Sequence, residues 1–192
     1  MATDFCSLPG APERAATSGF PPFDDDMRMA WPRHVTLTPV TYMGPGSSGD
    51  YARLMHDQPF VERTLFLFND NMDQFLDKTD GFPGGGNAIV RPLRLTGDAC
   101  GIPTGILGHG GFTGLDQELT DYRRQIKYTV KALIDDAFAE ARDILRSNSH
   151  KVEVVYCAEA PVAGARIGTG IFRVADEVVD YITAQIKLLE RI

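Results

Sequence analysis

The sequence of 192 residues lacks several features that mark common protein classes. It contains no run of about 18 apolar residues, so no transmembrane helix is predicted. Its three cysteines, Cys6, Cys100 and Cys157, form no Cys-x-x-Cys pair, which argues against a disulfide scaffold or a structural zinc site. Because the N-terminus has no basic region followed by an apolar core, we expect no signal peptide and a cytoplasmic location.

Positive charge is in the minority. Lys and Arg number 19 against 26 Asp and Glu, which gives a formal net charge of −7. This balance argues against a nucleic-acid binder whose affinity comes from neutralising phosphates. It leaves open a small anionic ligand, because backbone amides bind anions without net positive charge. A hydrophobic content of 43% is typical of a globular chain, and the length favours one domain.

The best-known phosphate-binding and esterase motifs are also missing. No Gly-x-x-x-x-Gly-Lys-Ser/Thr sequence occurs, which argues against P-loop kinases and ATPases. Gly168-Thr169-Gly170 lacks the third glycine of the dinucleotide-binding fingerprint. No Gly-x-Ser-x-Gly elbow is present, which disfavours an α/β-hydrolase. The four histidines share no spacing typical of metal ligands, so we expect no metal site.

Two Gly-rich loops that each follow an apolar strand are the strongest signal present. The first is Gly84-Gly85-Gly86-Asn87-Ala88-Ile89, after the strand-like residues 64–68 and their polar tail Asn69-Asp70-Asn71. The second is Gly168-Thr169-Gly170-Ile171-Phe172, after residues 152–156. Glycine lets backbone N–H groups approach a ligand closely, and such groups form anion sites. The two loops predict a nucleotide or diphosphate held by backbone amides.

Hydrophobic periodicity predicts one α/β domain over residues 34–192. In residues 115–147 the apolar positions recur at helical spacing from Ile126 to Leu145. Ser48 or Asp50 is the expected N-cap of a short helix. The predicted elements are strands at residues 34–40, 64–68 and 151–156, and helical segments at 50–56, 72–76, within 115–147 and at 176–190.

Two further segments have weaker patterns. Residues 87–95 fit the start of a helix or a strand, but Pro92 argues against a long helix and a central strand. Residues 99–112 contain five glycines and are expected to form a loop system with a short strand.

Residues 1–33 are predicted to form an irregular N-terminal arm, because five prolines interrupt them. Phe20, Phe23 and Trp31 are candidate anchors on this domain or on a partner subunit, which makes a homo-oligomer one expected use of the arm. The acidic Asp24-Asp25-Asp26 favours a solvated turn over a metal site.

The order of the motifs resembles the macrodomain family, whose members bind ADP-ribose. Asn69-Asp70-Asn71 and the first Gly-rich loop are similar to that family's Asn-Ala-Ala-Asn stretch, glycine run and Ala-Ile. Ala99-Cys100-Gly101-Ile102-Pro103-Thr104-Gly105 is similar to its middle segment, and Ile167 with the second loop to its diphosphate loop. The similarity spans about residues 64–190. It implies a three-layer α/β/α sandwich with a central mixed sheet.

The resemblance implies a ligand and a role for each loop. The ligand would be ADP-ribose, a related nucleotide diphosphate or an ADP-ribosylated macromolecule, with no cofactor. The amides of Gly84-Gly85-Gly86 and Gly168-Thr169-Gly170 would meet the two phosphates, with the Thr169 hydroxyl adding a contact. Ile171 and Phe172 would flank the distal ribose. The family's adenine-binding Asp has only a weak counterpart here, Asp50.

The resemblance also suggests residues for hydrolysis of an ADP-ribosyl bond. Asn71 and Asn87 would bind ribose hydroxyls or orient a water, since an amide both donates and accepts hydrogen bonds. Asp70 or Asp73 would take the proton of that water.

Three other functions stay open at this point: a non-catalytic reader of ADP-ribose, a nucleotide-processing α/β hydrolase of another lineage, and a structural subunit. Simpler roles also stay open for single residues. Asn69-Asp70-Asn71 would cap a helix near residue 72, Arg91 would form a salt bridge, Cys157 would be an inert thiol, and His109 would be an exposed loop residue.

Overall fold

A five-stranded mixed sheet organises residues 33–79, 81–170 and 172–192, which the computed structural model describes. Some sequence predictions fall outside the described residues. These are the predictions for residues 1–32 of the arm, which include Asp24-Asp25-Asp26, and the prediction for Ile171. The elements in chain order are β1 (Thr36–Val40), α1 (Tyr51–Leu54), α2 (Gln58–Arg63), β2 (Thr64–Asn71), α3 (Met72–Leu76), a 3₁₀ helix (Gly86–Thr96), β3 (Ala99–Ile106), β4 (Gly110–Gly111), β5 (Glu118–Asp121), β6 (Ile126–Thr129), α4 (Val130–Ser147), β7 (Glu153–Cys157) and α5 (Asp176–Leu188).

The strand order in the sheet is β1-β7-β2-β3-β4. The first four of these strands run parallel, and β4 is antiparallel to β3. Strands β5 and β6 form a separate two-stranded antiparallel sheet. The predicted α/β fold with a central mixed sheet is therefore confirmed. Since the parallel strands share one direction, their carboxyl ends meet at one edge of the sheet.

Both faces of the sheet are covered by apolar side chains, as expected for a largely parallel sheet. Leu65 and Leu67 of β2 belong to the larger cluster, together with buried residues of α4 and α5. Phe66 and Phe68 alternate with them and belong to the smaller cluster, with α1 and the 3₁₀ helix. Because successive side chains of a strand point to opposite faces and both faces are covered, the predicted run is apolar continuously from Leu65 to Phe68.

Helix α4 begins later than the apolar spacing predicts. The hydroxyl Oγ1 of Thr129 caps it by accepting from the N–H of Ala132 at 3.2 Å. Ile126, which the sequence places in the helical stripe, is half exposed in β6 and pairs with Asp121 of β5. A β-hairpin turn, with Gln125 at φ +57°, precedes the helix. The stripe from Val130 to Leu145 is buried as predicted, apart from the partly buried Ile144.

The expected loop system at residues 99–112 is wrong in its main part, because β3 is an eight-residue, almost entirely buried strand. Pro103 lies inside it, where a central strand would lose a ladder hydrogen bond. Here β4 pairs only with Gly105 and Ile106, so Pro103 has a strand neighbour on one side, and the pairing with β2 shifts register just after it. The proline is tolerated because the ladder is interrupted at that point.

The other predicted elements agree with the structure. The helical turn at 72–76 is α3, with the N-cap supplied by Asn71. The helix that Asp50 was expected to cap is α1. Residues 87–95 lie in the 3₁₀ helix Gly86–Thr96, which contains Pro92. In the described part of the chain, no helix combines the length and apolar character that crossing a membrane requires.

Candidate functional site

The sheet opens between β7 and β2 at their carboxyl ends. Pairing between these strands stops at Leu67 and Tyr156. Strand β7 stays paired with β1 as far as Cys157, and β2 stays paired with β3 as far as Asn71. A crevice at the carboxyl ends of parallel strands is the usual ligand site of open α/β sheets.

A cavity of about 800 Å³ lies at this opening. Its volume is within the range of pockets that hold small organic ligands. The described residues of both Gly-rich loops line it, so the structure brings together two segments that are distant in the sequence. The predicted site residues along it are Asp70, Asn71, Gly84, Gly85, Gly86, Asn87, Ala88, Ile89, Gly168, Thr169, Gly170 and Phe172.

The first loop folds tightly onto the start of the 3₁₀ helix. The N–H of Gly84 donates to the carbonyl of Ala88 at 2.9 Å. A Cβ at Gly84 would lie 2.6 Å from the Cβ of Ala88, so only glycine fits there. Gly86 has φ +61°, in the left-handed region. Among the described residues, the N–H groups of Gly85, Gly86 and Asn87 have no hydrogen-bond partner.

The side chain of Arg91 packs against this loop. Its side chain is 2% exposed and lies 2.7 Å from Asp70 Oδ1, measured from Nη2. Nη1 donates to the carbonyl of Phe82 at 2.8 Å. A Cβ at Gly84 would also come within 3.0 Å of Nη2. Arg91 thus forms the salt bridge that the sequence suggested, buried rather than at the surface.

Asp70 is the buried partner in this ion pair. Burial raises the pKa of its carboxyl above the ordinary value, although the hydrogen bond and charge of Arg91 oppose the shift. Oδ1 also accepts from the N–H of Asn71 at 2.9 Å, while Oδ2 is buried without a partner among the described residues. Asp73, the other predicted proton acceptor, is exposed on α3 and does not line the cavity.

The second loop is anchored to β7. The N–H of Gly168 donates to the carbonyl of Cys157 at 3.0 Å, and a Cβ at Gly168 would come within 3.3 Å of Ala158. Thr169 Oγ1 donates its proton to the carbonyl of Phe172 at 2.8 Å, so only its lone pairs remain for a ligand. Gly170 has φ +64°. In the described part of the chain, the N–H groups of Thr169 and Gly170 are unpaired.

Asn69 joins the two loops where the sheet opens. Its backbone N–H donates to Asn87 Oδ1 at 3.2 Å, and its Nδ2 donates to the carbonyl of Gly168 at 2.7 Å. Its own Oδ1 is buried without a partner among the described residues. The sequence places Asn69 in the polar tail Asn69-Asp70-Asn71, as a helix cap or a ligand contact, but nothing in the local pattern shows that it reaches across the crevice.

Asn87 also contacts the half-buried thiol of Cys157. Burial raises the pKa of Cys157, and a hydrogen bond from Asn87 partly offsets that rise. The thiol therefore lies at the cavity wall in its neutral form at pH 7. Cys157 is a lining residue that the sequence did not assign to the site.

Asn71 caps α3, as one of the two sequence interpretations expected. Its Oδ1 accepts from the N–H of Gln74 at 3.1 Å, and its Nδ2 donates to Gln74 Oε1. Because an amide has two donor protons and two acceptor lone pairs, it keeps some capacity toward the cavity.

Tyr42, Asp50 and Tyr51 form the wall on the side of α1. Tyr42 is 57% exposed, which leaves its ring open to a ligand. The hydroxyl of Tyr51 lies 3.0 Å from the carbonyl of Leu67, and burial raises its pKa well above 10. Asp50 accepts from the N–H groups of Gly46 and Arg53, so both its oxygens serve the loop and the helix cap.

A second cavity of about 720 Å³ lies beside α3 and α4. It contains neither Gly-rich loop, and its lining includes the charged side chains of Lys78, Arg124 and Glu140. His109 is exposed and lines neither cavity. Within the described ranges, no group of three or more His, Cys, Asp or Glu residues is placed to hold a metal ion.

Comparisons of the chain with protein-family models, with curated proteins and with solved structures gave no match.

Proposed function

We propose that this chain binds ADP-ribose or a related nucleotide diphosphate in the cavity between its two Gly-rich loops. One observation carries the proposal: both loops line the same cavity and carry five backbone N–H groups without partners among the described residues. Unpaired amides clustered around a cavity provide a site for an anion. In this proposal the fold is a macrodomain-like three-layer α/β/α sandwich.

The charges around the cavity favour recognition by amides over recognition by side-chain cations. Arg91 is the one basic residue among the described lining residues, and its charge is balanced by Asp70. The negative charge of a phosphate would therefore be met mainly by N–H dipoles. This arrangement agrees with the net charge of −7, because backbone amides bind an anion without net positive charge on the chain.

The remaining walls offer groups for a base and a ribose. The exposed ring of Tyr42 and the half-buried ring of Phe172 provide apolar faces for stacking. The amides of Asn71 and Asn87 donate to and accept from sugar hydroxyls. Because Asp50 is committed to a loop and a helix cap, we do not assign it the role of reading the base.

Binding without turnover is the form of the proposal that the contacts favour. One oxygen of Asp70 is held by Arg91 and the N–H of Asn71, and the other is buried. Asn71 is engaged by Gln74. A general base must reach the proton that it removes, and Asp70 is held in an ion pair beneath the loop. Hydrolysis of an ADP-ribosyl bond is the alternative function.

We also propose a cytoplasmic location and a homo-oligomer formed through the N-terminal arm. Cys100 and Cys157 are free thiols, which is compatible with a reducing compartment such as the cytoplasm. Assembly through the N-terminal arm concerns residues outside the described ones.

Calorimetric titration of the full chain with ADP-ribose tests the proposed function, with AMP and ribose 5-phosphate as smaller ligands. We expect saturable heat and an increase in melting temperature with ADP-ribose. Absence of both at millimolar ligand would overturn the proposal. Release of free ADP-ribose from an ADP-ribosylated protein would instead favour the hydrolase, provided that Asn87→Ala abolishes it.

A further inference from the structure

Asn69 occupies the point where the sheet separates into its two halves. Strand β2 leaves β7 after Leu67, so the next backbone groups of β2 have no strand partner on that side. Asn69 uses its N–H and its side chain to bond one group from each Gly-rich loop instead. These two bonds replace the ladder and connect the cavity walls.

We infer that Asn69 is a positioning residue that couples the two loops, so that the cavity selects ligands with two linked phosphates over ligands with one. The inference rests on the proposed function and deepens it. Asn69 need not touch the ligand to act in this way, because its effect is transmitted by the groups that it holds.

The side-chain bond of Asn69 orients a donor of the second loop. Nδ2 holds the carbonyl of Gly168 at 2.7 Å. In a trans peptide the C=O of one residue and the N–H of the next lie in one plane and point in opposite directions. Fixing the Gly168 carbonyl therefore fixes the N–H of Thr169, which has no partner among the described residues.

The backbone bond of Asn69 holds the first loop. Its N–H donates to Asn87 Oδ1, and Asn87 belongs to the turn that carries the unpaired amides of Gly85 and Gly86. One residue near the carboxyl end of the buried strand β2 thus sets the positions of both donor groups. A ligand that bridges the loops gains from that fixed spacing, while a ligand held by one loop does not.

The two bonds can be separated by mutation. Asn69→Ala keeps the N–H that bonds Asn87 and removes only the side-chain bond to Gly168. The expected consequence is a second loop whose Thr169 N–H must be ordered by the ligand. The entropic cost of ordering this N–H reduces the affinity of ligands that bind both loops.

The experiment measures dissociation constants of wild type and Asn69→Ala for ADP-ribose, which has two linked phosphates, and for AMP, which has one. Loss of one hydrogen bond is expected to weaken ADP-ribose binding about tenfold and AMP binding less than about twofold. The matched control is Asn148→Ala. It also removes a bond from Nδ2 to a carbonyl, that of Ile144 at 2.8 Å, away from the cavity, and should change neither constant.

The outcomes separate the inference from the proposed function. Equal weakening of both ligands by Asn69→Ala, or no weakening of either, overturns the coupling and leaves nucleotide binding intact. Failure of the wild type to bind ADP-ribose overturns the proposed function and the inference with it. If Asn69→Ala does not fold, Asn69→Ser is measured in its place, because the shorter hydroxyl side chain also lacks the Nδ2 donor.

Discussion

Asn69 Nδ2 and the carbonyl of Gly168 are joined by a hydrogen bond of 2.7 Å across the opening between β2 and β7. The bond ties the end of a buried strand to a loop that begins far along the chain. It connects the second Gly-rich loop to β2 at the cavity wall. Ordered walls reduce the entropic cost of binding, which is the advantage that the proposed coupling would give to a ligand spanning both loops.

The unpaired N–H of Gly85 offers a direct test of recognition by amides. Gly85 has φ −77°, which proline adopts, and a Cβ there would meet no atom within 4 Å. Gly85→Pro should weaken ADP-ribose binding about tenfold, because it removes one bond to a charged group. Gly85→Ala keeps the N–H and serves as the control. Equal affinities of the two variants by calorimetry would argue against a role for this amide.

The buried pair of Arg91 and Asp70 should dominate the stability of the first loop. Arg91→Met leaves the carboxylate of Asp70 buried without its partner, which is expected to cost about 3 kcal/mol of unfolding free energy. Urea denaturation measures the loss, with the exposed Arg123→Met as the control. Adding Asp70→Asn to Arg91→Met should recover part of the loss. No recovery would show that Arg91 acts through packing alone.

Glu140 should contribute to the acid sensitivity of the fold. Burial alone would raise its pKa, but Lys78 at 2.5 Å and Arg94 at 3.3 Å outweigh burial and lower it. A carboxyl whose pKa is lower in the folded state stabilises the fold above its ordinary pKa. That contribution is lost as the pH falls through the folded-state pKa.

Glu140→Gln should therefore lower the unfolding free energy at neutral pH and have a smaller effect at acid pH. Urea titrations at a series of pH values measure the difference between wild type and variant. The exposed Glu118→Gln is the control, since Glu118 has no ion pair among the described residues. A difference that stays constant with pH would contradict the prediction.

The thiol of Cys157 should report occupancy of the cavity. It is half-buried in the cavity wall, whereas Cys100 is fully buried, and burial raises the pKa of both thiols. In a Cys6→Ser chain, iodoacetamide reacts with the thiolate, so alkylation should be slow, should favour Cys157 over the fully buried Cys100, and should become slower when ADP-ribose is bound. Mass spectrometry locates the adduct. Alkylation that ADP-ribose does not slow would mean that the nucleotide binds elsewhere or not at all.

Many local features of the fold can be predicted from the sequence. The apolar run of β2, the buried stripe of α5 and the cap that Asn71 gives to α3 are short-range features. Each depends on side-chain period or on a hydrogen bond within a few residues, so the pattern alone predicts it. Gly86 and Gly170 are likewise explained locally, because each adopts a positive φ that favours glycine.

How the strands and loops come together is visible only in the tertiary structure. Nothing near Pro103 in the sequence shows that its strand lacks a second neighbour there, and nothing near Ile126 shows that β5 will pair with it before α4 begins. The burial of Arg91 against Asp70 and the bond from Asn69 to Gly168 join segments distant in the chain. The sequence predicts two loops whose backbone amides can bind an anion. Their meeting at one cavity was decided by strand order, because β7 inserts between β1 and β2 and its pairing with β2 ends early.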